Sequence, residues 1–211
     1  EKALFQIDNK FLNEPVLGVI SEENKLKLIT EKRIEYFDYC LICSHPPQTL
    51  EMFKNADYLT KNLLSKFKYQ KNKAVLLFDE SVLPREKIAW AAWNYLSTET
   101  TTGNDTVSVS YLINKLQPLP VNKAVIVTLN PAIKIDKNKV VKEINYEHPL
   151  FSKEAIMAQQ TMDSIQGREG VYFSGAWLRY GFHEDGILSS KSVINKLLED
   201  DGKNERLLRI L

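Results

Sequence analysis

The feature that most constrains this chain lies near its end, at residues 171–198. Val171, Tyr172, Phe173 and Ser174 form a short apolar run that ends at Gly175, with Gly181 and Gly186 close behind. An apolar-periodic stretch from about residue 184 to 198 follows at once and predicts a helix. A strand delivered through glycines to a helix N-terminus is how α/β proteins bring backbone close to a polar or anionic ligand. The glycines remove the Cβ barrier, and the first-turn N–H groups are donors without helical partners. Between the glycines stand Trp177, Tyr180, Phe182, His183, Glu184 and Asp185, a density of aromatic and ionisable groups that sets the stretch apart from a surface loop. Two readings follow from the residues alone: a ligand-approach turn, or a packing helix behind an aromatic-rich turn.

Upstream, the pattern alternates between strand-rich and helical segments. Residues 15–44 read as a β-meander feeding a core strand, with polar turns at 21–24 and 31–33. Residues 39–43 (Tyr, Cys, Leu, Ile, Cys) are apolar enough to predict burial on both faces. Pro46 and Pro47 end that strand. Residues 48–69 carry a helical stripe that breaks near Asn55, Ala56 and Asp57. Strands are predicted at 74–78, 89–95, 106–112, 125–129 and 139–146, with a loop at 97–105 containing Gly103 and Asn104. A helix is predicted at 151–165, capped by Ser152, helped by Glu154 in its first turn and ended by Gly167. The class is α/β with α+β character.

Composition narrows the functional classes. The 211 residues are 44% hydrophobic and 26% charged, with a net charge of +1. That suits one good core or two small ones and gives no nucleic-acid footprint. No apolar stretch approaches the ~20 residues that span a bilayer, and the start lacks a secretory pattern, so a cytoplasmic protein without a transmembrane segment is expected. The first residue is Glu1, as in a piece of a longer protein. Cys40 and Cys43, three apart in a strand, point to opposite faces and read as buried apolar residues; no metal is expected.

Several ordered blocks resemble a known group. Phe173-Ser-Gly-Ala-Trp177 with Tyr180-Gly-Phe-His-Glu-Asp-Gly186 and Ser189 is similar to the C-terminal motif of predicted bacterial NAD/FAD-binding proteins in the flavin-containing amine oxidase superfamily. The likeness continues upstream at residues 38–45, 83–85, 89–95, 111–117, 127–131, 146–149 and 159–167, and covers roughly residues 16–198. The resemblance implies an oxidoreductase with FAD as cofactor and a partial, Rossmann-like FAD/NAD(P)-binding domain. Residues 1–45 would be its β-meander and core strand, and residues 168–211 its closing strand, turn and helix. An inserted β-sheet and helix domain at 46–167 would hold a small-molecule substrate. Two departures stand out. Ser189-Ser190 and Ile194 replace the family's Ser-Gly and small residues. No Gly-x-Gly-x-x-Gly cradle for the pyrophosphate occurs, which implies that an N-terminal half of the same protein is the partner.

The resemblance puts Gly175, Ala176, Trp177, Gly181, Phe182, His183, Glu184, Asp185 and Gly186 at the cofactor. Asp185 or Glu184 either caps the helix or holds a ribityl hydroxyl. His183 is the one candidate for acid–base chemistry, against a structural hydrogen-bonding role. Trp93 and Tyr95 share one strand face and, with Asn114, are candidates for a substrate pocket, whereas Trp90 points to the core. The leading expectation is hydride transfer from an organic substrate to flavin. The competing one is a non-catalytic α+β module that binds a ligand or protein. The chain alone is expected to lack FAD.

Overall fold

The computed structural model describes residues 7–23, 25–98 and 106–202. In chain order the strands and helices are β1 (Val16–Glu22), β2 (Lys25–Thr30), β3 (Ile34–Phe37), β4 (Cys40–Ile42), α1 (Pro46–Met52), α2 (Tyr58–Leu64), β5 (Lys68–Leu77), β6 (Trp93–Thr98), β7 (Thr106–Leu112), α3 (Ile113–Leu116), β8 (Ile126–Leu129), β9 (Val140–Leu150), α4 (Lys153–Gln159), β10 (Val171–Phe173) and α5 (His183–Asp201). The expected loop at 97–105 lies outside the described residues from position 99 onward. The chain forms two compact units. One combines the segments up to Lys68 and from Pro149 on; the other is Tyr69–His148.

In the first unit β1, β2 and β3 form an antiparallel meander, and β4 pairs in parallel with β10. Side chains alternate along a strand. Ile42, Val171 and Phe173 therefore enter one core with Val19 and Leu26 of the meander, Leu64 and Phe67 around α2, and Ala155, Ala158, Met162 and Ile165 around α4. The intervening Tyr172 is buried on the other face of β10, where its hydroxyl donates to Asp200 of α5 at 3.0 Å. Burial, and then this carboxylate, push its phenol pKa upward.

The two outer edges of the parallel pair differ. On β10 the side-chain amide of Gln166 accepts from the N–H of Phe173 and donates to its carbonyl, both at 2.8 Å. Gly167 N–H donates to the Val171 carbonyl at 2.9 Å. The outer edge of β10 is thus closed by its own approach turn. On β4, Ile42 turns its carbonyl to Ser174 N–H, so Leu41 directs its backbone the other way. Among the described residues no strand pairs there. This corrects the expectation that residues 39–43 are buried on both faces: Leu41 is 36% exposed and Cys43 is exposed. A parallel strand is buried throughout only with neighbours on both sides, and β4 has one. Burial raises the Cys40 thiol pKa to about 11.

Helix limits follow side-chain hydrogen bonds. Asp57 caps α2, accepting from Thr60 N–H at 2.7 Å, which accounts for the break expected near that residue. Ser152 caps α4 as expected. The helix expected at 151–165 stops at Gln159, because the hydroxyls of Thr161 and Ser164 bond back to carbonyls three residues earlier and tighten the chain into a 3-10 turn. The strand expected from residue 89 starts only at Trp93. The Asn94 amide bridges the N–H and carbonyl of Ala91 and holds that approach as a turn.

The second unit is a five-stranded sheet in the order β6-β7-β8-β5-β9. Its inner face carries Val75, Leu77, Leu112 and Ile126, which pack with Val82 and Leu83 and with the half-buried Trp90. Its outer face carries Trp93, Tyr95, Val109, Tyr111, Val127 and Leu129, aligned by the strand register.

Replacing Gln166 with Leu should lower unfolding free energy by about 1–3 kcal/mol, because it strips both partners from the Phe173 backbone. Urea denaturation of the two proteins measures this, and an unchanged midpoint would show that water satisfies that edge.

Candidate functional site

Beyond β10 the chain makes one 3-10 turn, Ala176–Leu178, and then enters α5. The turn is organised around one buried carboxylate. Asp185 is 7% exposed, and its Oδ2 accepts from the N–H groups of Tyr180 (3.2 Å) and Phe182 (3.0 Å). Arg179 Nε lies 3.6 Å from its other oxygen. Of the two roles weighed for Asp185, the geometry supplies the cap: N3 of the helix reaches back to the N-cap backbone. Phe182 is the N-cap residue and has no side-chain group for that purpose, so Asp185 does the capping alone.

The glycines serve different ends. A Cβ on Gly175 would fall on the indole of Trp177. Gly181 has φ +89°, in the left-handed region, with Phe151 3.4 Å from where its Cβ would be. Gly186 is different. It lies in the first turn of α5, and a Cβ there would meet Ala176 at an ordinary 3.9 Å. Packing within the chain does not require that glycine, although in a helix it costs up to ~1 kcal/mol relative to Ala.

Three hydroxyls tie the end of β10 to α5. Ser174 Oγ contacts Ser189 Oγ at 3.0 Å and Ser190 Oγ at 2.9 Å, and Gly175 N–H donates to Ser189 at 3.1 Å. The Ser189-Ser190 departure thus gives a strand–helix junction bridged by hydroxyls. Gln159 also braces the turn, donating from Nε2 to the carbonyls of Trp177 (2.8 Å) and Arg179 (2.7 Å). Ser174 stands in the C-terminal motif and Gln159 and Gln166 in an upstream block of the resemblance, but none of the three is among the candidate site residues. The available signal was weak: two glutamines in a polar stretch just before the strand.

The candidate cofactor residues separate into two groups. Gly175, Ala176, Gly181, Phe182, His183, Glu184, Asp185 and Gly186 all belong to the turn or the first turn of α5, with Phe182, His183 and Glu184 exposed. Trp177 is only 4% exposed and stacks edge-on against Phe67 in the core, with ring centroids 4.6 Å apart. Its Nε1–H is buried without an acceptor among the described residues. A shallow groove of about 230 Å³ runs behind the turn, lined by Gln159, Asp163, Gln166, Arg179, Ser189 and Ser192 among others. The glycines do not line it.

In the second unit Trp93 and Tyr95 share one sheet face as expected, and it is the outer one, leaving them 49% and 68% exposed; Trp93 meets Tyr111 edge-on at 5.4 Å. Asn114 has a different setting. Its side chain accepts from Val125 N–H at 2.7 Å and donates to the carbonyls of Lys123 and Val121, locking the connection between α3 and β8.

No family model matches the sequence, and no curated protein matches it. Solved structures do match by fold. A fatty acid isomerase from P. acnes that produces CLA aligns with a TM-score of 0.57 at 14% identity, over 87% of this chain and 47% of its own. A protein from Exiguobacterium sp. 255-15, provisionally assigned as a protoporphyrinogen oxidase, gives 0.59 at 14% identity, over 89% and 47%. A putrescine oxidase variant, A394C, from a redesign of cofactor binding gives 0.60 at 11% identity, over 94% and 51%. The chain has a mixed α/β fold similar to that of these structures and spans about half their length.

The two glycines should respond to alanine with opposite signs. Gly186→Ala should raise stability by about 0.5–1 kcal/mol through helix propensity. Gly175→Ala should lower it by roughly 1–3 kcal/mol through overpacking against Trp177. Thermal melts of the two variants decide the matter; equal shifts in the same direction would contradict the geometry.

Proposed function

We propose that this chain is the part of an FAD-dependent oxidoreductase that closes the cofactor site, and that the whole protein transfers hydride from an organic substrate to flavin. The observation that carries this reading is the turn between β10 and α5. It presents the first-turn N–H groups of His183, Glu184 and Asp185, which have no acceptor among the described residues, beside Gly186, a glycine that packing among those residues does not need. The likeness to amine-oxidase folds supports it.

The residues fit part of the cofactor. The donors are backbone N–H groups, while Glu184 and Asp185 already offset the positive end of the helix. Such a site suits hydroxyl and carbonyl oxygens, as on a ribityl chain or flavin ring, better than phosphates. Gly186 would admit the ligand, and Phe182 would shield it. Flavin, when bound, supplies the hydride acceptor, and the protein orients and polarises. The exposed His183 is our candidate for holding a proton near the reacting edge. The outer face at Trp93 and Tyr95 would meet the substrate.

The pyrophosphate would be held by an N-terminal half of the same protein. The open edge of β4 at Leu41 offers the place where a strand of that half would pair, since β10 is closed by Gln166. This pairing would also take up the backbone groups that Leu41 directs to that edge.

Isolated, the 211-residue chain should purify colourless and take up no stoichiometric FAD. Protein carrying the second half should be yellow, with an absorption spectrum that bleaches when an oxidisable substrate is added. Stoichiometric FAD in the isolated chain would overturn the two-half arrangement, and a two-half protein that cannot be loaded with FAD would overturn the flavin reading.

A further inference from the structure

The turn after β10 disposes of its carbonyls in an ordered way. Gly175 C=O accepts from Leu178 N–H, and Ala176 C=O accepts from both Arg179 and Gly181, all at 3.1 Å. Phe182 C=O accepts from Gly186 N–H at 3.2 Å. The turn's own N–H groups do not reach the carbonyls of Trp177 and Arg179. Both are taken by Nε2 of Gln159, the last residue of α4. By contrast the N–H groups of Ala176 and Trp177 have no acceptor among the described residues, as is also true of the N–H groups of His183, Glu184 and Asp185.

We infer that Gln159 is a positioning residue whose two side-chain N–H groups hold these carbonyls inward, leaving the turn a surface of donors for an uncharged, acceptor-rich ligand. The inference rests on the reading of this turn as a flavin contact. An amide suits the task because one NH₂ group carries two donors, one for each carbonyl. A carboxylate of the same size has none and would set a negative charge against two carbonyl oxygens. A carbonyl deprived of its donor turns toward water, because a buried unpaired acceptor is costly. Rotating the peptide after Trp177 would carry Leu178 N–H off Gly175 and aim an acceptor where a ligand oxygen needs a donor. Gln159 lies outside the glycine motif, so its part in recognition is visible only in the folded chain.

The test compares wild type with Gln159→Glu and Gln159→Lys, the second keeping a donor of similar reach. In wild type, scalar coupling across the hydrogen bonds should join the Gln159 side-chain nitrogen to the carbonyl carbons of Trp177 and Arg179. In Gln159→Glu the amide exchange of Leu178, Arg179 and Gly181 should speed up by about tenfold or more, the scale of one lost hydrogen bond, with Tyr172 and Val193 unchanged. Gln159→Lys should restore protection. Riboflavin, the ligand probe, should move the amide resonances of Ala176, Trp177 and His183 in wild type and Gln159→Lys but not in Gln159→Glu, and inorganic phosphate should move none of them. Unchanged exchange in Gln159→Glu, or riboflavin shifts equal to wild type, would overturn the role of Gln159. Riboflavin that leaves even wild type untouched would count against the flavin reading instead, while the exchange data still decide whether Gln159 holds the turn.

Discussion

The parallel pairing of β4 with β10 is the constraint on which the rest of the first unit depends. Parallel strands cannot be joined by a tight hairpin, so the chain between them must make an excursion. Here the excursion includes α1, α2, the whole second unit and α4. The pairing brings Ile42 beside Phe173 and sets the core shared by the meander and the helices. It also fixes the direction in which the chain leaves β10, and hence where Gly175 begins the turn. Contacts this distant in sequence are slow to form, because their loop must close before they are rewarded. Gln166 and Gly167 help by closing the far edge of β10 from within its own neighbourhood.

The turn itself is a problem in placing charge and hydrogen bonds. Asp185 is buried in it, yet it accepts two backbone N–H groups and has Arg179 alongside. These partners offset the cost of burying a carboxylate. The same arrangement occupies the helix end that would otherwise attract an anion. An anion site and a capped helix start compete for the same donors, and in this chain the cap has taken part of them. The donors that remain are backbone N–H groups with no formal charge, which is why oxygen atoms of a neutral group match them.

Much of this architecture was legible from the order of residues. The meander, the break at Asp57, the Ser152 cap and the final strand–helix all follow from local patterns that the fold keeps. Errors arose where a side chain out-competes the local pattern. Asn94 folds its own approach into a turn, and Thr161 and Ser164 tighten the end of a helix that apolar spacing alone would continue. For the residues around the turn and on the second sheet, the structure shows settings that residue type alone does not reveal. Asp185 proved to be a cap, Trp177 a core residue, and Asn114 the lock of a connection. Gln159 and Gln166 stood in a block of the resemblance without a role, because their partners are backbone atoms brought near by tertiary structure, and no spacing rule encodes that.

The second unit shows how far the reasoning from residue type carries. An antiparallel sheet with one face in water commonly places polar residues outside and apolar ones inside. This sheet departs from that pattern. Asn94, Ser110 and Thr128 run across three strands on the buried face, satisfied by Asn94 donating to the Ser110 carbonyl and by a 2.9 Å contact between the two hydroxyls. Trp93, Tyr95, Val109, Tyr111, Val127 and Leu129 occupy the outer face, with no charged side chain among them. Of these, Trp93 and Tyr95 are the most exposed, and leaving their apolar area in water forfeits roughly 25 cal/mol for every Å² that could be buried. Small buried hydroxyls let strands pack closely without filling the inner core, whereas aromatic rings outside serve no purpose for a unit that stands alone in water.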